Sequence, residues 1–168
     1  MEIRQLTLDD HVSSYRLGAE AFGSPPYPLV VPEAPTTPPV GREVWGVLDG
    51  ESLMARVATH AYESWWHGAR VATCGVAGVT VAAERRGEGL LLPLFRAALG
   101  AAAERGETLS TLYPTANGIY RSLGYELVSS YDTVEVPTAD LAAVRKPVGT
   151  HTRRAGPGDV PAIRAVYD

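Results

Sequence analysis

A short charged turn between two apolar segments is the part of the chain best suited to chemistry. Arg86, Gly87, Glu88 and Gly89 follow a β-like run that ends at Val81, and they precede an apolar helical segment. Glycines allow backbone to approach a ligand closely, and the first N–H groups of a helix have no partner within it. The helix dipole adds partial positive charge there, and arginine supplies a full charge. The sequence therefore predicts an anion site, suited to phosphate oxygens, at this junction.

Three other interpretations of this turn limit how specific it is. An ordinary strand–turn–helix corner contains glycine and arginine by chance, and the turn alone does not exclude it. A dinucleotide fingerprint fits less well, because its strand should lead directly into Gly-x-Gly-x-x-Gly and an acidic residue should follow a second strand. A Walker loop is excluded, since the sequence contains neither Gly-Lys-Ser nor Gly-Lys-Thr.

A second group of residues with potential chemistry lies in segment 115–125. Thr115, Asn117 and Tyr120 precede the pair Gly124-Tyr125. A tyrosine hydroxyl can donate a proton in catalysis, yet a tyrosine on a short helix is more often a packing residue. The segment by itself leaves both roles open.

The elements that must position these residues alternate between β and α patterns. We predict strands at 3–8, 43–47, 52–65, 70–81, 108–113 and 125–136, and helices at 10–22, 90–105, 116–123 and 138–144. Asp49-Gly50 is a strong hairpin signal, and residues 66–69 form a second turn, so three of the strands make an antiparallel meander. Gly75 and Gly78 interrupt one strand, which indicates a bulge or the close approach of another segment.

Helix 90–105 is the clearest element of the chain. Its apolar residues recur at helical spacing and Gly106 ends it. Pro93 is tolerated only in the first turn of a helix. The helix must therefore begin close to Gly87 and Gly89, which places the glycine turn at its N-terminus.

The segment 23–39 is dense in proline, with seven of the 13 prolines of the chain. That density rules out a helix interior and a central strand. A disordered linker is one interpretation. Because Tyr27, Leu29, Val30 and Val31 are apolar and able to pack, we favour a structured flap.

The composition is that of a globular protein and argues against several classes. A length of 168 residues suggests one domain with room for a fragment of another. The net charge of −4 argues against a nucleic-acid binder, and no apolar run or signal peptide indicates a membrane partner. Cys74 is the single cysteine and lies in an apolar run, which favours a core role and a reducing, cytoplasmic location. The four histidines lack metal-ligand spacing, so no metal is expected.

The glycine turn resembles the acyl-CoA-binding motif of the GCN5-related N-acetyltransferases (GNAT). That motif has an apolar strand, then Arg or Gln, two residues, Gly, one residue, and Gly or Ala; here the sequence reads Arg86-Gly87-Glu88-Gly89-Leu90-Leu91. Leu91 departs from the motif, because most of the superfamily has a small residue there. Arg-x-x-Gly-Leu-Leu after Val-x-Val, and Gly118-Ile119-Tyr120 before Gly124-Tyr125, resemble the Eis (enhanced intracellular survival) branch.

The resemblance implies a fold, a reaction and a set of site residues. It implies an α+β GNAT fold for residues 1–148, with a mixed central sheet, an antiparallel meander and flanking helices. It implies acetyl transfer from acetyl-CoA to an amine of a small molecule (aminoglycoside or polyamine) or of a peptide. Tyr120 would be the general acid that protonates the departing CoA sulfur. The residues expected to contact the CoA are Val79, Val81, Arg86, Gly87, Gly89, Leu90, Leu91, Thr115 and Asn117.

A base for the attacking amine is not evident from the sequence. An alkylamine with a pKa of ~10.4 is almost entirely protonated at neutral pH, so a base or a desolvating pocket is needed. The chain offers His60, Glu63 and Glu33. The resemblance to Eis implies a terminal carboxylate instead, which a truncated chain does not supply.

Residues 149–168 repeat the pattern of the N-terminus. Arg153 and Asp159 fall on Arg4 and Asp10, with a strand-like run, a capped turn and a helix start in each. A plain C-terminal helix is the simpler interpretation. Because Eis proteins carry tandem acetyltransferase-like domains, the resemblance implies that a second domain starts here, that the chain is truncated, and that the full-length protein is a homo-oligomer.

Three functions are consistent with the sequence. The first is an active N-acetyltransferase. The second is a non-catalytic acyl-CoA-binding or sensing domain, and the third is a structural domain of a larger assembly. The intact turn argues against the third function and Tyr120 argues against the second, while the acceptor is not readable from the sequence.

Overall fold

The computed structural model describes residues 1–23, 28–130, 132–145 and 147–166. The chain divides into two compact units, Met1–Glu126 and Leu127–Asp168. The first unit contains a five-stranded sheet, and its strands are β1 (Glu2–Gln5), β2 (Arg42–Asp49), β3 (Ser52–Trp66), β4 (Ala69–Val81) and β5 (Leu109–Leu112). Its helices are α1 (His11–Phe22), α2 (Leu91–Glu104) and α3 (Asn117–Ser122), and the second unit contains α4 (Val160–Ala165).

The strands lie in sequence order, with three antiparallel pairings followed by one parallel pairing between β4 and β5. Asp49 and Ser52 close the first hairpin around Gly50, whose φ of 60° is accessible mainly to glycine. His67 and Gly68 turn the second hairpin, also with positive φ. The predicted meander and the mixed sheet are therefore confirmed.

The two glycines predicted to disturb β4 do so in different ways. The β3–β4 register shifts between Arg56 and Ala58, and Gly78 on the β4 side has a φ of 56°. This is a bulge. Gly75 lacks the space for a side chain because the Tyr62 ring of β3 lies over it, and the Tyr62 hydroxyl bonds Thr111 of β5.

The longer helices cover opposite faces of the sheet. Successive strand residues point to opposite faces. On β3, Val57 belongs to the buried cluster that α2 completes with Leu94, Phe95 and Ala98, whereas the guanidinium of the preceding residue, Arg56, bonds Ser14 of α1. The core therefore lies between the sheet and α2, and α1 covers the other face.

A compact ionic cap starts α1. Arg4 donates to both carboxylate oxygens of Asp10, at 2.8 and 2.9 Å, and the Thr7 N–H donates to Asp10 Oδ2 at 2.7 Å. These hydrogen bonds, the one from Arg4 first, lower the pKa of Asp10 from 3.8 to about 2. The acceptor of this cap is the Asp10 carboxylate.

Asp10→Asn is expected to lower the free energy of unfolding by about 1–2 kcal/mol, because a charged cap acceptor and its Arg4 partner are lost together. Asp10 has a lowered pKa in the folded state, so its contribution is complete above the ordinary pKa of 3.8 and declines as the pH falls towards about 2. Urea denaturation of both proteins from neutral to acid pH measures this. Equal stability at neutral pH would contradict the prediction.

The proline-rich segment lacks helix and strand over residues 28–39, and residues 24–27, including Tyr27, lie outside the described part of the chain. Leu29 and Val31 are half-buried and Val30 is exposed. His11 Nε2 lies 2.9 Å from the carbonyl oxygen of Pro32, within hydrogen-bond distance. The segment is therefore held against α1 at one point.

The predicted strand at 125–136 is wrong for the residues that the structure describes. Tyr125 packs on the core, but residues 126–130 and 132–136 form no strand. A strand needs a partner for its N–H and C=O groups, and the described chain supplies none here. The predicted helix at 138–144 is present only as a 3₁₀ turn, Asp140–Ala143.

The second unit repeats the cap of α1 at the start of α4. Arg153 donates to both oxygens of Asp159, and the Gly156 N–H lies 2.7 Å from Asp159 Oδ2, the distance found between Thr7 and Asp10. A 3₁₀ turn, Pro157–Asp159, precedes the helix as Leu8–Asp10 precedes α1. The strand expected before this cap is not formed by the described residues 147–156.

Across the described ranges, no helix has the length and apolar character needed to cross a membrane.

Candidate active site

The parallel strands β4 and β5 pair over only part of their length. Their register runs from Thr73 opposite Leu109 to Val76 opposite Leu112, where β5 ends, while β4 continues to Val81. Beyond Val76, β4 has no strand on its β5 side among the described residues. The two strands are therefore parallel neighbours, and residues 77–81 of β4 extend past the end of β5.

The open part of β4 contains the bulge and two residues expected to contact the CoA. Val79 and Val81 are half-buried, and their side chains pack against the core cluster. Their side chains are therefore turned away from the opening. What β4 presents towards the opening is backbone, with the irregular residues Gly78 and Val79 in its middle.

The glycine turn lies directly between the open strand and α2. Gly87 and Gly89 have φ values of 85° and 75°, and a Cβ added at either would meet no atom within 4 Å. Within the described chain, the N–H groups of residues 87–91 donate no hydrogen bond. The turn therefore combines positive φ, open space and a row of N–H groups without partners at a helix N-terminus.

Leu90 and Leu91 contribute only backbone to this site. Leu90 is 5% exposed and belongs to the core cluster, and Leu91 packs against it. Leu91 therefore fits in place of the usual small residue because its side chain points into the protein. Pro93 occupies the third position of α2, as its fixed φ requires.

Two adjacent arginines have different tasks in the turn. Arg86 is exposed and forms no ion pair within the described ranges. Arg85 fixes the turn to the sheet: its Nη2 lies 2.9 Å from Asp49 Oδ2, its Nε contacts Met54 Sδ, and Glu88 lies 3.5 Å away. The sequence did not indicate the role of Arg85, because its partners lie far away along the chain.

The third part of the site follows β5. Thr115 and Asn117 are exposed at the start of α3, which begins shortly after β5 ends. Tyr120 is half-buried and packs against Phe95 of α2 and against Tyr125, with ring centroids 6.3 and 6.2 Å apart. Tyr120 thus packs on the core, and α3 is joined through Phe95 to the helix that the glycine turn begins.

The environment of Tyr120 keeps its hydroxyl protonated. Burial raises the pKa of Tyr120 above its ordinary value, and hydrogen bonding with the Thr115 side chain opposes the shift only in part. At neutral pH the group is a phenol that can donate a proton. Cys74 is fully buried with a pKa raised to about 11, chiefly by burial, so the thiol is a core residue as predicted.

The three side chains considered as bases lie in different settings. Burial, together with the nearby charge of Arg42, lowers the pKa of His60, so its imidazole is neutral at neutral pH and can accept a proton. Glu63 forms an exposed ion pair with Arg70 at 3.5 Å, and Glu33 is exposed on the proline-rich segment. His60 is opposite Gly75, and Gly75 is opposite Thr111 next to the end of β5.

Comparison with known proteins gives a consistent result. A family model described as the acetyltransferase (GNAT) domain matches residues 2–128. An uncharacterized N-acetyltransferase of Streptomyces avermitilis is 29% identical over 181 residues, which cover 99% of this chain and 42% of that protein. The chain thus spans less than half the length of this curated relative.

Solved structures show the same architecture. A GCN5-related N-acetyltransferase from Kribbella flavida is 30% identical with a TM-score of 0.60, covering 74% of this chain and 33% of that one. An acetyltransferase from Trypanosoma brucei is 17% identical with a TM-score of 0.57, covering 80% and 99%. The five-stranded mixed sheet with flanking helices is the GNAT fold. Since the family model covers most of the chain, the protein belongs to the GNAT acetyltransferase domain family.

Proposed function

We propose that this domain transfers the acetyl group of acetyl-CoA to the amine of an acceptor molecule. One observation carries the proposal: β4 parts from β5 at Val76 and leads through a bulge into an open, positive-φ glycine turn at the start of α2. The open edge of β4 offers backbone donors to an extended chain, and the glycine turn that follows offers backbone donors to a diphosphate.

The residues present fit acetyl-CoA. The space above Gly87 and Gly89 is open, since a Cβ added to either would meet no atom within 4 Å. The unpaired amides beside this space can donate hydrogen bonds to phosphate oxygens. Arg86 adds a positive charge, and no carboxylate of the described chain forms an ion pair with it. The open edge of β4 around Val79 and Val81 is suited to amide groups of an extended arm.

Acetyl-CoA supplies an activated acetyl group, held as a thioester. The backbone N–H of Val79 at the bulge would polarise the carbonyl oxygen. The amine nitrogen forms a bond to the acyl carbon and the carbon–sulfur bond breaks. The amine gives up a proton to water, from which the Tyr120 hydroxyl is later reprotonated. Tyr120, whose hydroxyl hydrogen-bonds with the Thr115 side chain, would donate its proton to the sulfur, and Thr115 and Asn117 would contact the CoA.

The Eis branch remains the subfamily that the motifs suggest. Arg86 through Leu91, and Tyr120 before Gly124-Tyr125, support this proposal. The repeated cap at Arg153 and Asp159 supports a second acetyltransferase-like domain that starts at residue 149. Within that proposal, aminoglycosides, polyamines and peptides are the acceptor classes, and the full-length protein is a cytoplasmic homo-oligomer.

Arg86→Ala should weaken acetyl-CoA binding by about 1.5–3 kcal/mol, the range for hydrogen bonds to charged groups. Arg96→Ala is the matched control, because Arg96 is an exposed arginine on α2 beyond the glycine turn. Isothermal calorimetry with acetyl-CoA measures both variants. Equal losses in the two variants would indicate a general effect of surface charge and would contradict a specific role for Arg86.

The activity itself is tested by thiol release from acetyl-CoA in the presence of amines of each acceptor class. We expect turnover with at least one class. Binding of acetyl-CoA without turnover of any amine, on the full-length protein, would favour the non-catalytic binding domain. Absence of acetyl-CoA binding would leave only a structural role.

A further inference from the structure

A cavity with two arginines in its lining lies outside the proposed acetyl-CoA site, on the face of the sheet that α1 covers. Its volume is about 190 Å³. Ser14 and Tyr15 of α1, prolines of the segment 35–39, and Arg42 and Arg56 of the sheet line it. Drug-sized ligands occupy pockets of roughly 300–1,000 Å³, so this cavity suits one substituent of a larger molecule.

Arg56 is the unusual residue of this cavity. Its guanidinium lies under α1 so closely that a Cβ on Gly18 would collide with it. Nη1 donates to Ser14 Oγ at 2.8 Å, but Nε is buried without a partner, and no carboxylate of the described chain pairs with the group. A buried charge normally has a counter-charge, because desolvation without one is costly. Burial lowers the pKa of Arg56 accordingly.

A second cation faces the same space. Arg42 lines the cavity on β2 and has no carboxylate partner in the described ranges. Glu43 is the one acidic residue of the lining, but its carboxylate is turned to the α2 side, where Arg105 lies 2.8 Å away and Trp45 Nε1 lies 3.1 Å away. The lining of the cavity therefore contains two arginines, and the one carboxylate of the lining is paired elsewhere.

The cavity also adjoins the part of β4 where the reaction is proposed to occur. Arg56 pairs with Thr80 of β4 in the sheet register, and its Nη2 would lie 3.5 Å from a Cβ on Gly78, the bulge residue next to Val79. Arg56 thus connects the cavity with the bulge beside Val79, whose N–H is proposed to polarise the acyl carbonyl.

We propose that this cavity binds an anionic substituent of the acceptor, a carboxylate or a phosphate, and that the acetylated amine belongs to a molecule carrying such a group. That this molecule is an acetyl acceptor rests on the proposed acetyltransferase function. That it carries an anionic group rests on the two arginines. The acceptor then carries opposite charges: its amine points towards Val79, and its anion is held between α1, β2 and β3. Of the acceptor classes named above, peptides meet this condition through their carboxylates, whereas aminoglycosides and polyamines do not.

Direct anion binding is the first test. Inorganic phosphate and acetate, titrated separately by calorimetry, distinguish the two sources of the anion. The titrations use the Gly89→Asp background, so that phosphate bound by the glycine turn is not counted. We expect one anion to bind, and Arg42→Gln and Arg56→Met each to weaken it by roughly 10- to 100-fold, as expected for one charged hydrogen bond.

The controls separate this effect from misfolding and from general charge. Arg16→Gln removes an exposed arginine of α1 outside the cavity and should leave anion affinity unchanged. Arg56→Met removes a half-buried charge that has no carboxylate partner, so its melting temperature should equal or exceed that of the parent. No binding of either anion, or unchanged binding in folded Arg42→Gln, would overturn the proposal.

Kinetics of thiol release then connect the anion to the acceptor. Amines are compared in pairs that differ only in the anion: an amino acid with its amide, and an amino-sugar phosphate with the amino sugar. We expect kcat/KM to favour the anionic member by roughly 10- to 100-fold, and Arg42→Gln to abolish the preference. Equal rates within both pairs would overturn the proposal while the acetyltransferase function stands. Anion binding without turnover of any amine would overturn both the acceptor assignment and the proposed function.

Discussion

Gly89→Asp is expected to abolish acetyl-CoA binding measured by calorimetry. Gly89 has a φ of 75° and faces open space in a row of unpaired amides, so a carboxylate added there enters the region proposed for the diphosphate. Repulsion between like charges at a few ångströms adds to the loss of space. The variant should fold, because a side chain at this position meets no atom within 4 Å.

Two controls separate charge from backbone strain. Gly89→Asn introduces a side chain of nearly the same shape without the charge, and asparagine tolerates positive φ. Gly106→Asp places the same residue in the same kind of conformation, with a φ of 88° and open space, at the other end of α2. Gly106→Asp should bind acetyl-CoA as the wild type does, and loss of binding there would indicate a general effect of strain.

Tyr120→Phe should slow the chemical step by ~10²–10⁴-fold, the usual contribution of a positioned acid or base. Acetyl-CoA affinity should barely change, since the ring remains packed against Phe95 and Tyr125. The measurement is CoA release with a good amine acceptor, on protein that carries any C-terminal carboxylate the reaction needs.

Tyr125→Phe is the matched control for this substitution. Tyr125 belongs to the same aromatic cluster, but its hydroxyl lies 2.5 Å from Ser110 Oγ, a structural partner on β5. Tyr125→Phe should lower stability and keep turnover. If Tyr120→Phe also keeps wild-type turnover while chemistry limits the rate, Tyr120 is only a packing residue and the general acid lies elsewhere.

The parts of the fold that the sequence predicted correctly are those set by local signals. The hairpin at Asp49-Gly50, the start of α2 near Pro93 and its end at Gly106 all follow from backbone preferences of a few residues. The strand at 125–136 had β-branched composition but no partner in the described chain, and composition alone does not supply one.

The parts that were missed depend on contacts between residues distant along the chain. Arg85 fixes the glycine turn through Asp49 and Met54, and Arg56 is half-buried and donates to Ser14 of α1. Arginine is usually exposed, so no local pattern marks either of them. The anion cavity is therefore visible only in the folded protein, whereas the glycine turn has a signature in the sequence.

Backbone amide shifts, followed by NMR on ¹⁵N-labelled protein during titration with CoA, test the central claim most directly. We expect the largest shifts at residues 87–91, whose N–H groups donate no hydrogen bond in the described chain, and around Val79 and Val81, where β4 has no strand on its β5 side. We also expect Gly89→Asp to remove these shifts and Gly106→Asp to keep them. Shifts centred elsewhere, or no shifts at saturating CoA, would contradict the account.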